Sequence, residues 1–287
     1  MWLAYSHGKI NLGLHVLERL PTGFHRIEAG FCFIEWNDRF EVDASDRYLL
    51  TITDSSIPAD ESNLITKAYR TFEKYVGLSR HYRFSVTKQI PAGAGLGGGS
   101  SNAALTMRIL NKLEEAGLSD DELLDLSRPI GSDIAFFIKG KPGIGTGIGQ
   151  DIEPLEIQPD HWIVTVFPGF ESSTPEAYRY CEPNPEPEFP LKDTLTDEPV
   201  DEWRYLLQND LEPPVIARNE VIGNLKDQFY EFGALYASMS GSGSSVFGIF
   251  EQDFVALHAW NILQDLGFNV NLTRPGFTPD RGIYLKE

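Results

Sequence analysis

One glycine-rich stretch carries the strongest chemical signal in this chain of 287 residues. Five glycines lie between Gly93 and Gly99, and Ser100, Ser101 and an apolar run from Ala103 follow them. Glycine is costly inside a strand or helix, but it lets the backbone approach a ligand closely. Because a predicted helix begins directly behind the loop, its free N–H groups and positive dipole end favour an anion. The stretch therefore predicts a phosphate-binding loop, and a nucleotide is the expected ligand.

The glycines alone leave more than one kind of loop open. A Walker A loop is excluded, because neither Lys-Ser nor Lys-Thr follows them. Gly93, Gly95 and Gly98 form a literal G-x-G-x-x-G, the pattern of an NAD-dependent oxidoreductase. That fold needs the pattern directly after a first strand, and an acidic residue ~20 positions further on at a strand end. Glu114 and Glu115 instead lie where a predicted helix ends. Another type of phosphate loop and a glycine-rich linker stay open.

The overall charge restricts the partners of the protein. A net charge of −18 argues against nucleic acid and against an anionic membrane surface. An anionic ligand must therefore be attracted locally, by backbone N–H groups, a few lysines and Mg²⁺. No apolar run approaches the ~18 residues of a membrane span, and no signal peptide is predicted. Cys32 and Cys181 are expected to be reduced thiols in a cytoplasmic protein.

Four further segments hold residue types that can do chemistry. Lys9 follows a glycine in an apolar strand, where its ammonium can point into a pocket. Asp133 stands at the start of a predicted helix, either as an N-cap or as a general base. Phe24 and His25 form a turn that can hold an aromatic base. The glycine/serine loop at 238–245 offers more backbone donors for phosphate. Taken singly, each segment is explained more simply as an ordinary strand, cap, turn or hairpin loop.

The elements that must position these residues form no regular βαβ repeat, which indicates an α+β protein. A shift in composition predicts an N-terminal domain at 1–156 and a C-terminal domain at 157–287. The acidic, proline-rich segment after Cys181 is expected to be a solvated loop. The predicted strands are 10–17, 27–36, 39–42 after a turn at Asn37-Asp38, 48–53, 82–86, 143–149, 163–167, 235–239, 246–250 and 268–273. The predicted helices are 62–76, 101–116, a short helix that opens at a capping box at 119–122, 131–137, several within 201–230, and 253–266.

The joint order of these segments resembles the GHMP kinases, the superfamily of homoserine, galacto-, mevalonate and phosphomevalonate kinases. The three matching motifs are the strand with Lys9, the P-x-x-x-G-L-G-G-G-S-S-x-A-A loop at Pro91 to Ala104, and the Ser/Gly loop at Met239 to Ser244. Within the superfamily the chain is most similar, over nearly its whole length, to the 4-diphosphocytidyl-2-C-methyl-D-erythritol kinase family. The marks of that family are Lys9-Ile-Asn-Leu-Gly-Leu-His15, Gly23-Phe-His25, Ser62-Asn-Leu-Ile65 and Gly131-Ser-Asp-Ile-Ala-Phe-Phe137.

The resemblance implies a fold and a function. The fold is the two-domain GHMP kinase fold of the α+β class, with an N-terminal domain like domain 2 of ribosomal protein S5 and a ferredoxin-like C-terminal domain. The activity is ATP-dependent phosphorylation of the 2-hydroxyl of 4-diphosphocytidyl-2-C-methyl-D-erythritol, in non-mevalonate isoprenoid precursor biosynthesis. The cofactors are ATP and Mg²⁺, and the partner is a small molecule with a cytidine diphosphate group. No protein ligand for the metal, no nucleic-acid partner, no membrane partner and no particular oligomeric state is implied.

The resemblance also assigns roles to residues that match the family motifs. The catalytic pair is Lys9 and Asp133. The ATP-binding residues are Asn63, Lys88, Pro91, Ala92, Gly93, Ala94, Gly95, Leu96, Gly97, Gly98, Gly99, Ser100 and Ser101. The residues that bind the phosphate acceptor are Asn11, Phe24, His25, Tyr178, Ser240 and Gly241.

Three positions depart from the family pattern: His7-Gly8 replaces Pro-Ala, and Phe24 replaces a tyrosine. A homoserine or mevalonate kinase is the nearest alternative, although it gives no reason for the Gly-Phe-His turn. A non-catalytic nucleotide-binding regulator is another alternative. Such a regulator is expected to have lost Lys9 or Asp133, and both residues are present.

Overall fold

Two β-sheets form the framework of the computed structural model, which describes residues 1–286. The first sheet has seven strands in the order β11-β1-β2-β4-β3, with β5 paired to β2 and β6 paired to β5. β3 and β4 are parallel, and the other described pairs of this sheet are antiparallel. Its strands are β1 (Trp2–Arg19), β2 (His25–Ser45), β3 (Leu49–Ile52), β4 (His81–Thr87), β5 (Gly143–Thr146), β6 (Asp151–Pro154) and β11 (Ile283–Leu285).

The first two strands are long, and the predicted turn at Asn37-Asp38 is wrong. β2 continues through both residues without a break. Asp38 is fully buried, and its carboxylate accepts hydrogen bonds from the N–H groups of Gln89 and Ile90 at 2.8 and 2.9 Å. The Asn-Asp pair is a turn signal only where the side chain bonds to its own backbone. The Asp38 side chain instead accepts hydrogen bonds from the backbone of a segment that is distant in sequence.

Four helices accompany the first sheet. α1 (Leu64–Val76) begins behind Asn63, as predicted, because the Asn63 side chain accepts a hydrogen bond from the N–H of Ile65. α2 (Gly98–Leu113) begins earlier than predicted, because Gly97 takes the left-handed conformation that precedes the first turn. α3 (Asp120–Ser127) has the predicted capping box, and α4 (Ile134–Lys139) follows it.

The second sheet has four antiparallel strands in the order β10-β7-β9-β8. Together with α9 (Glu220–Glu231) and α10 (Asp253–Asp265) it has the ferredoxin-like β-α-β-β-α-β arrangement. The predicted α+β class is confirmed. The chain then returns to the first sheet through β11, and the domain division at 156 and 157 stays a prediction. The strands are β7 (Trp162–Phe167), β8 (Tyr236–Met239), β9 (Val246–Phe250) and β10 (Asn269–Thr273).

The sequence predicts a solvated loop for the acidic, proline-rich segment, but the structure shows helices and buried side chains there. The chain from 174 to 216 holds α5 (Thr174–Tyr180), α6 (Leu191–Asp197), α7 (Trp203–Leu206) and α8 (Glu212–Ile216). Leu191 and Leu195 of α6 are buried in a core cluster. A Cβ atom on Gly30 of β2 would lie 2.5 Å from Leu195 Cδ1 and 2.6 Å from the Leu12 carbonyl oxygen. The glycine therefore lets α6 pack directly on the first sheet.

The helices also bear on the question of membrane insertion. Among the described residues, no helix has both the length and the apolarity to cross a membrane. The longest of them, α2, has 16 residues.

The buried contact of α6 yields a stability prediction. Leu191→Ala removes a fully buried side chain, and we expect a loss of about 2–5 kcal/mol in the free energy of unfolding. Asp193→Ala, at an exposed position of the same helix, is the control and should cost less than about 1 kcal/mol. Urea unfolding of both variants measures the difference. Equal losses would show that α6 is not packed on the sheet in solution.

Candidate active site

Two clefts meet at the glycine loop. The first, called the aromatic cleft because Phe24, His25 and Tyr178 line it, has a volume of about 770 Å³. The second, called the α2 cleft because the start of α2 lines it, has a volume of about 570 Å³. Gly93, Gly95, Gly97 and Thr174 line both clefts. The aromatic cleft contains Lys9, Asn11, Asp133 and Gly241 of the sequence-predicted site, and the α2 cleft contains Asn63, Lys88 and residues 91–100.

The carbonyl groups of the glycine loop are bound by four donors from three separate segments of the chain. The Gly93, Ala94, Gly95 and Leu96 carbonyls accept from Ser172 N at 3.4 Å, Ser245 N at 3.1 Å, Ser240 Oγ at 2.9 Å and Lys9 N at 2.9 Å. Among the described residues, no N–H from position 93 to 100 has a protein acceptor, and the first one that donates within α2 is that of Ser101. The loop therefore keeps its acceptors inside the protein and its donors free for an anion.

The two glycine loops touch each other. Gly95 has a φ of +77°, and a Cβ atom there would overlap the Ser240 carbonyl oxygen and lie 2.9 Å from that of Gly243. Ser240 itself is fully buried, whereas Gly241 faces the aromatic cleft. A side chain at position 95 would therefore push the second loop away from the first.

Lys9 and Asp133 face each other across the aromatic cleft. The Lys9 Nζ atom lies 3.8 Å from Asp133 Oδ2 and donates to Asn11 Oδ1 at 2.6 Å. It also lies 5.4 Å from the centre of the Phe31 ring. The Lys9 side chain is only 5% exposed, so burial lowers its pKa, while Asp133 acts in the opposite direction. The structure thus holds a buried ammonium beside a carboxylate that is 36% exposed.

The Asp133 carboxylate does not cap the helix that follows it. Asp133 has helical backbone angles, and its side chain makes no capping hydrogen bond to α4. The Asp133 carboxylate also accepts a hydrogen bond from the Ser132 hydroxyl at 3.5 Å. The N-cap interpretation of the sequence is therefore wrong, and the carboxylate is available as a proton acceptor in the cleft.

The aromatic residues form one wall of the cleft. His25 and Tyr178 are stacked, with ring centres 4.9 Å apart and an angle of 23° between the planes. Tyr178, to which the family resemblance gives a part in binding the phosphate acceptor, lies on α5, and this helix brings it to His25. Burial lowers the pKa of His25, which favours the neutral ring with one acceptor nitrogen. Phe24 is 60% exposed at the mouth of the cleft.

Several residues assigned to ATP already have protein partners. The Asn63 amide donates to the Pro58 carbonyl at 2.7 Å, besides capping α1. The Ser101 hydroxyl is buried and donates to the His7 carbonyl at 2.6 Å, which ties α2 to β1. The Lys88 ammonium forms an ion pair with Asp38 and also donates to Asn102 Oδ1 at 3.2 Å.

Sequence reasoning missed the part played by Asp38. Its carboxylate accepts from Asn102 Nδ2 at 2.8 Å as well as from Lys88 and two backbone N–H groups. It thereby joins β2, the segment that enters the loop, and the start of α2. β2 also contains Glu28, Glu35, Glu41 and Asp43, so no local pattern in the sequence distinguishes the buried carboxylate of Asp38 from the others.

Comparison with known proteins agrees with this architecture. The family model described as GHMP kinases N terminal domain matches residues 63–141, and the model GHMP kinases C terminal matches residues 198–267. A solved mevalonate kinase of Methanococcus jannaschii has a TM-score of 0.70 at 13% identity, over 96% of this chain and 98% of that one. At 13% identity, the match to this mevalonate kinase shows the fold alone. Fold and site thus define a GHMP kinase, and the predicted fold is confirmed.

Relatives of higher identity narrow the class. A 4-diphosphocytidyl-2-C-methyl-D-erythritol kinase of Parabacteroides distasonis is 41% identical over 87% of this chain and 92% of its own length. One of Chlorobium phaeobacteroides is 39% identical over 95% and 97%. A crystal structure of 4-(cytidine 5'-diphospho)-2C-methyl-D-erythritol kinase has a TM-score of 0.80 at 29% identity, covering 96% and 100% of the two chains. The chain belongs to the 4-diphosphocytidyl-2-C-methyl-D-erythritol kinase family, as its motifs predicted.

The buried Lys9 ammonium yields a prediction about pH. Since the pKa of Lys9 is lowered in the folded state, the unfolded chain binds more protons between that pKa and the usual value of 10.5. The free energy of unfolding of the wild type therefore gains a contribution as pH rises through this range. Lys9→Met lacks this contribution. We therefore expect the variant to be at least as stable as the wild type at pH 7. The difference in the free energy of unfolding between the variant and the wild type should shrink towards pH 10.

Denaturant unfolding at several pH values measures this difference. Lys67→Met, at an exposed lysine, controls for general effects of alkaline pH. A Lys9→Met protein that is clearly less stable than wild type at pH 7 would contradict the inference that burial destabilises the Lys9 ammonium.

Proposed function

We propose that this protein transfers the γ-phosphoryl group of ATP to the 2-hydroxyl of 4-diphosphocytidyl-2-C-methyl-D-erythritol. The observation that carries the proposal is the pair formed by the buried Lys9 ammonium and the partly exposed Asp133 carboxylate, which lies in one cleft with the stacked His25 and Tyr178 rings and with the free donors of the glycine loop. The names of the relatives agree with this substrate. The reaction supplies a precursor of isoprenoids.

Asp133 acts as the general base. The acceptor hydroxyl is tertiary, and therefore hindered and weakly acidic. As its oxygen attacks the γ-phosphorus, its proton passes to the Asp133 carboxylate, the bond from phosphorus to the bridging oxygen breaks, and ADP leaves. The Lys9 ammonium keeps Asp133 ionised and stabilises negative charge near the reacting oxygen. Positioning and electrostatics supply most of the rate in phosphoryl transfer.

The α2 cleft holds ATP in this proposal. The loop N–H groups and the start of α2 bind the phosphate oxygens, and Asn63 and Lys88 border the remainder of the nucleotide. Mg²⁺, when bound, would neutralise negative charge on those oxygens. Among the described residues, no cluster of three His, Cys, Asp or Glu side chains could hold a metal ion. We therefore assign most of its ligands to the nucleotide, with the Ser100 hydroxyl as a protein oxygen that fits this hard cation.

The aromatic wall binds the cytidine end of the acceptor. A cytosine ring can stack on Tyr178 or Phe24, and a neutral His25 can accept a hydrogen bond from its exocyclic amine. Contacts far from the reacting atoms supply binding energy that orients the hydroxyl. Mevalonate and homoserine have no ring for this wall, which is why the wall favours the cytidine compound.

The base assignment is tested with Asp133→Asn. A general base typically contributes roughly 10²- to 10⁴-fold, so we expect kcat to fall by about that factor while both KM values change little. Asp121→Asn, at an exposed aspartate outside both clefts, is the control. Steady-state ADP release measures the rates. An Asp133→Asn enzyme within threefold of wild type would remove Asp133 from this role.

The cytidine pocket is tested with Tyr178→Leu. Loss of one stacked ring costs about 1–3 kcal/mol, so KM for the cytidine substrate should rise roughly 5- to 150-fold, with KM for ATP almost unchanged. Tyr180→Leu is a matched control, because Tyr180 lies on the same helix and packs instead on Arg218. Equal effects on the two KM values would show that Tyr178 does not contact the base.

A further inference from the structure

We propose that Asn209 is a positioning residue that orients the backbone N–H of Ser242 into the aromatic cleft, towards a phosphoryl oxygen. The inference rests on the proposed phosphoryl transfer and deepens it. Asn209 is 3% exposed, and its Nδ2 atom donates to the Met239 carbonyl at 2.9 Å and to the Gly241 carbonyl at 2.8 Å. Its Oδ1 atom accepts from the N–H of Leu211 at 3.0 Å. The amide is thus fully used inside the protein and does not itself line the cleft.

The hydrogen bond from Asn209 to the Gly241 carbonyl also fixes the direction of the N–H of Ser242. The Gly241–Ser242 peptide is trans, and across a trans peptide the carbonyl and the following N–H point in opposite directions. Asn209 holds the Gly241 carbonyl on the buried side of the loop. The N–H of Ser242 therefore points to the other side, where Gly241, Ser242 and Gly243 line the aromatic cleft. Among the described residues, this N–H has no acceptor.

The free donor lies beside the reactive pair. A Cβ atom on Gly241 would lie 3.5 Å from Lys9 Nζ and 3.1 Å from Asn11 Oδ1. An N–H beside a buried ammonium suits an anionic oxygen, and the anion of this reaction is a phosphoryl group. That oxygen belongs either to the group being transferred or to the diphosphate of the acceptor, and kinetics separate the two sources.

The backbone around Asn209 fixes the loop relative to Lys9. The Leu14 N–H donates to the Gln208 carbonyl at 2.8 Å, and the Asp210 N–H donates to the Leu14 carbonyl at 2.9 Å. Leu14 belongs to β1, the strand that carries Lys9. Asn209 therefore connects the second glycine loop to the same strand that presents the ammonium.

A double-mutant cycle of Asn209→Ala and Ser242→Pro tests the inference. Proline at 242 removes the N–H and leaves Asn209 in place. Loss of one such donor costs roughly 10²- to 10³-fold, so each variant should lose about that factor, and the double variant should lose little more. A fall in kcat assigns the donor to the transferred group, and a rise in KM for the cytidine substrate assigns it to the acceptor diphosphate. Losses that multiply in the double variant would overturn the proposal.

Asn111→Ala is the matched control for lost stability. The Asn111 amide donates to the Leu118 carbonyl at 2.8 Å and accepts from the Leu118 N–H at 2.9 Å, away from both clefts. A folded Asn209→Ala enzyme whose kcat and KM values stay within threefold of those of Asn111→Ala would also overturn the proposal. Turnover of the cytidine substrate by the wild type tests the proposed function. The role of Asn209 is tested separately, by the ratios of kcat and KM between the variants.

Hydrogen exchange in the wild type gives a readout that does not depend on the folding of a variant. The Ser242 amide proton should exchange more slowly once a non-hydrolysable ATP analogue and the cytidine substrate are bound together. No change in the exchange of this proton, with both ligands bound, would contradict its contact with a phosphoryl oxygen.

Discussion

The rest of the site depends on how the carbonyls of the glycine loop are bound. Ser172, Ser245, Ser240 and Lys9 bind four consecutive carbonyls, and these donors come from β1, from the connection before α5 and from the second glycine loop. Because the acceptors are satisfied inside the protein, the N–H groups at 93–100 are left for a ligand. The same bonds bring Lys9 and Gly241 to the loop. A single set of backbone contacts therefore builds the phosphate cradle and places the reactive pair beside it.

This arrangement explains how a chain with a net charge of −18 binds an anion. The two lysines of the clefts do not act as free cations, since Lys9 faces Asp133 and Lys88 is paired with Asp38. In the α2 cleft most of the attraction therefore comes from oriented N–H groups and from the start of α2, which carry no net charge, while Arg19 and Arg179 add positive charge to the lining of the aromatic cleft. Salt screens exposed charges beyond roughly 8–10 Å, so the acidic surface elsewhere does not cancel these donors.

The sequence predicts the local part of this site well. The loop, the Asn63 cap and the place of Asp133 before α4 follow from glycine spacing, capping chemistry and helical periodicity. Contacts between distant segments were not predictable in that way. In the sequence Asp38 resembles a turn residue. Its role depends on hydrogen bonds from the N–H groups of Gln89 and Ile90, which follow β4 in the chain. The packing of α6 depends on Gly30, more than 160 positions earlier, and no local pattern relates the two.

The most direct test of the account is an ADP-release assay with ATP, Mg²⁺ and a panel of alcohols. The panel holds 4-diphosphocytidyl-2-C-methyl-D-erythritol, mevalonate, phosphomevalonate, homoserine and galactose. A cleft built around stacked rings predicts turnover of the cytidine compound and a kcat/KM at least roughly 10³-fold lower for the others. Turnover of another alcohol, and none of the cytidine compound, would contradict the account of the aromatic cleft while leaving the phosphate cradle intact.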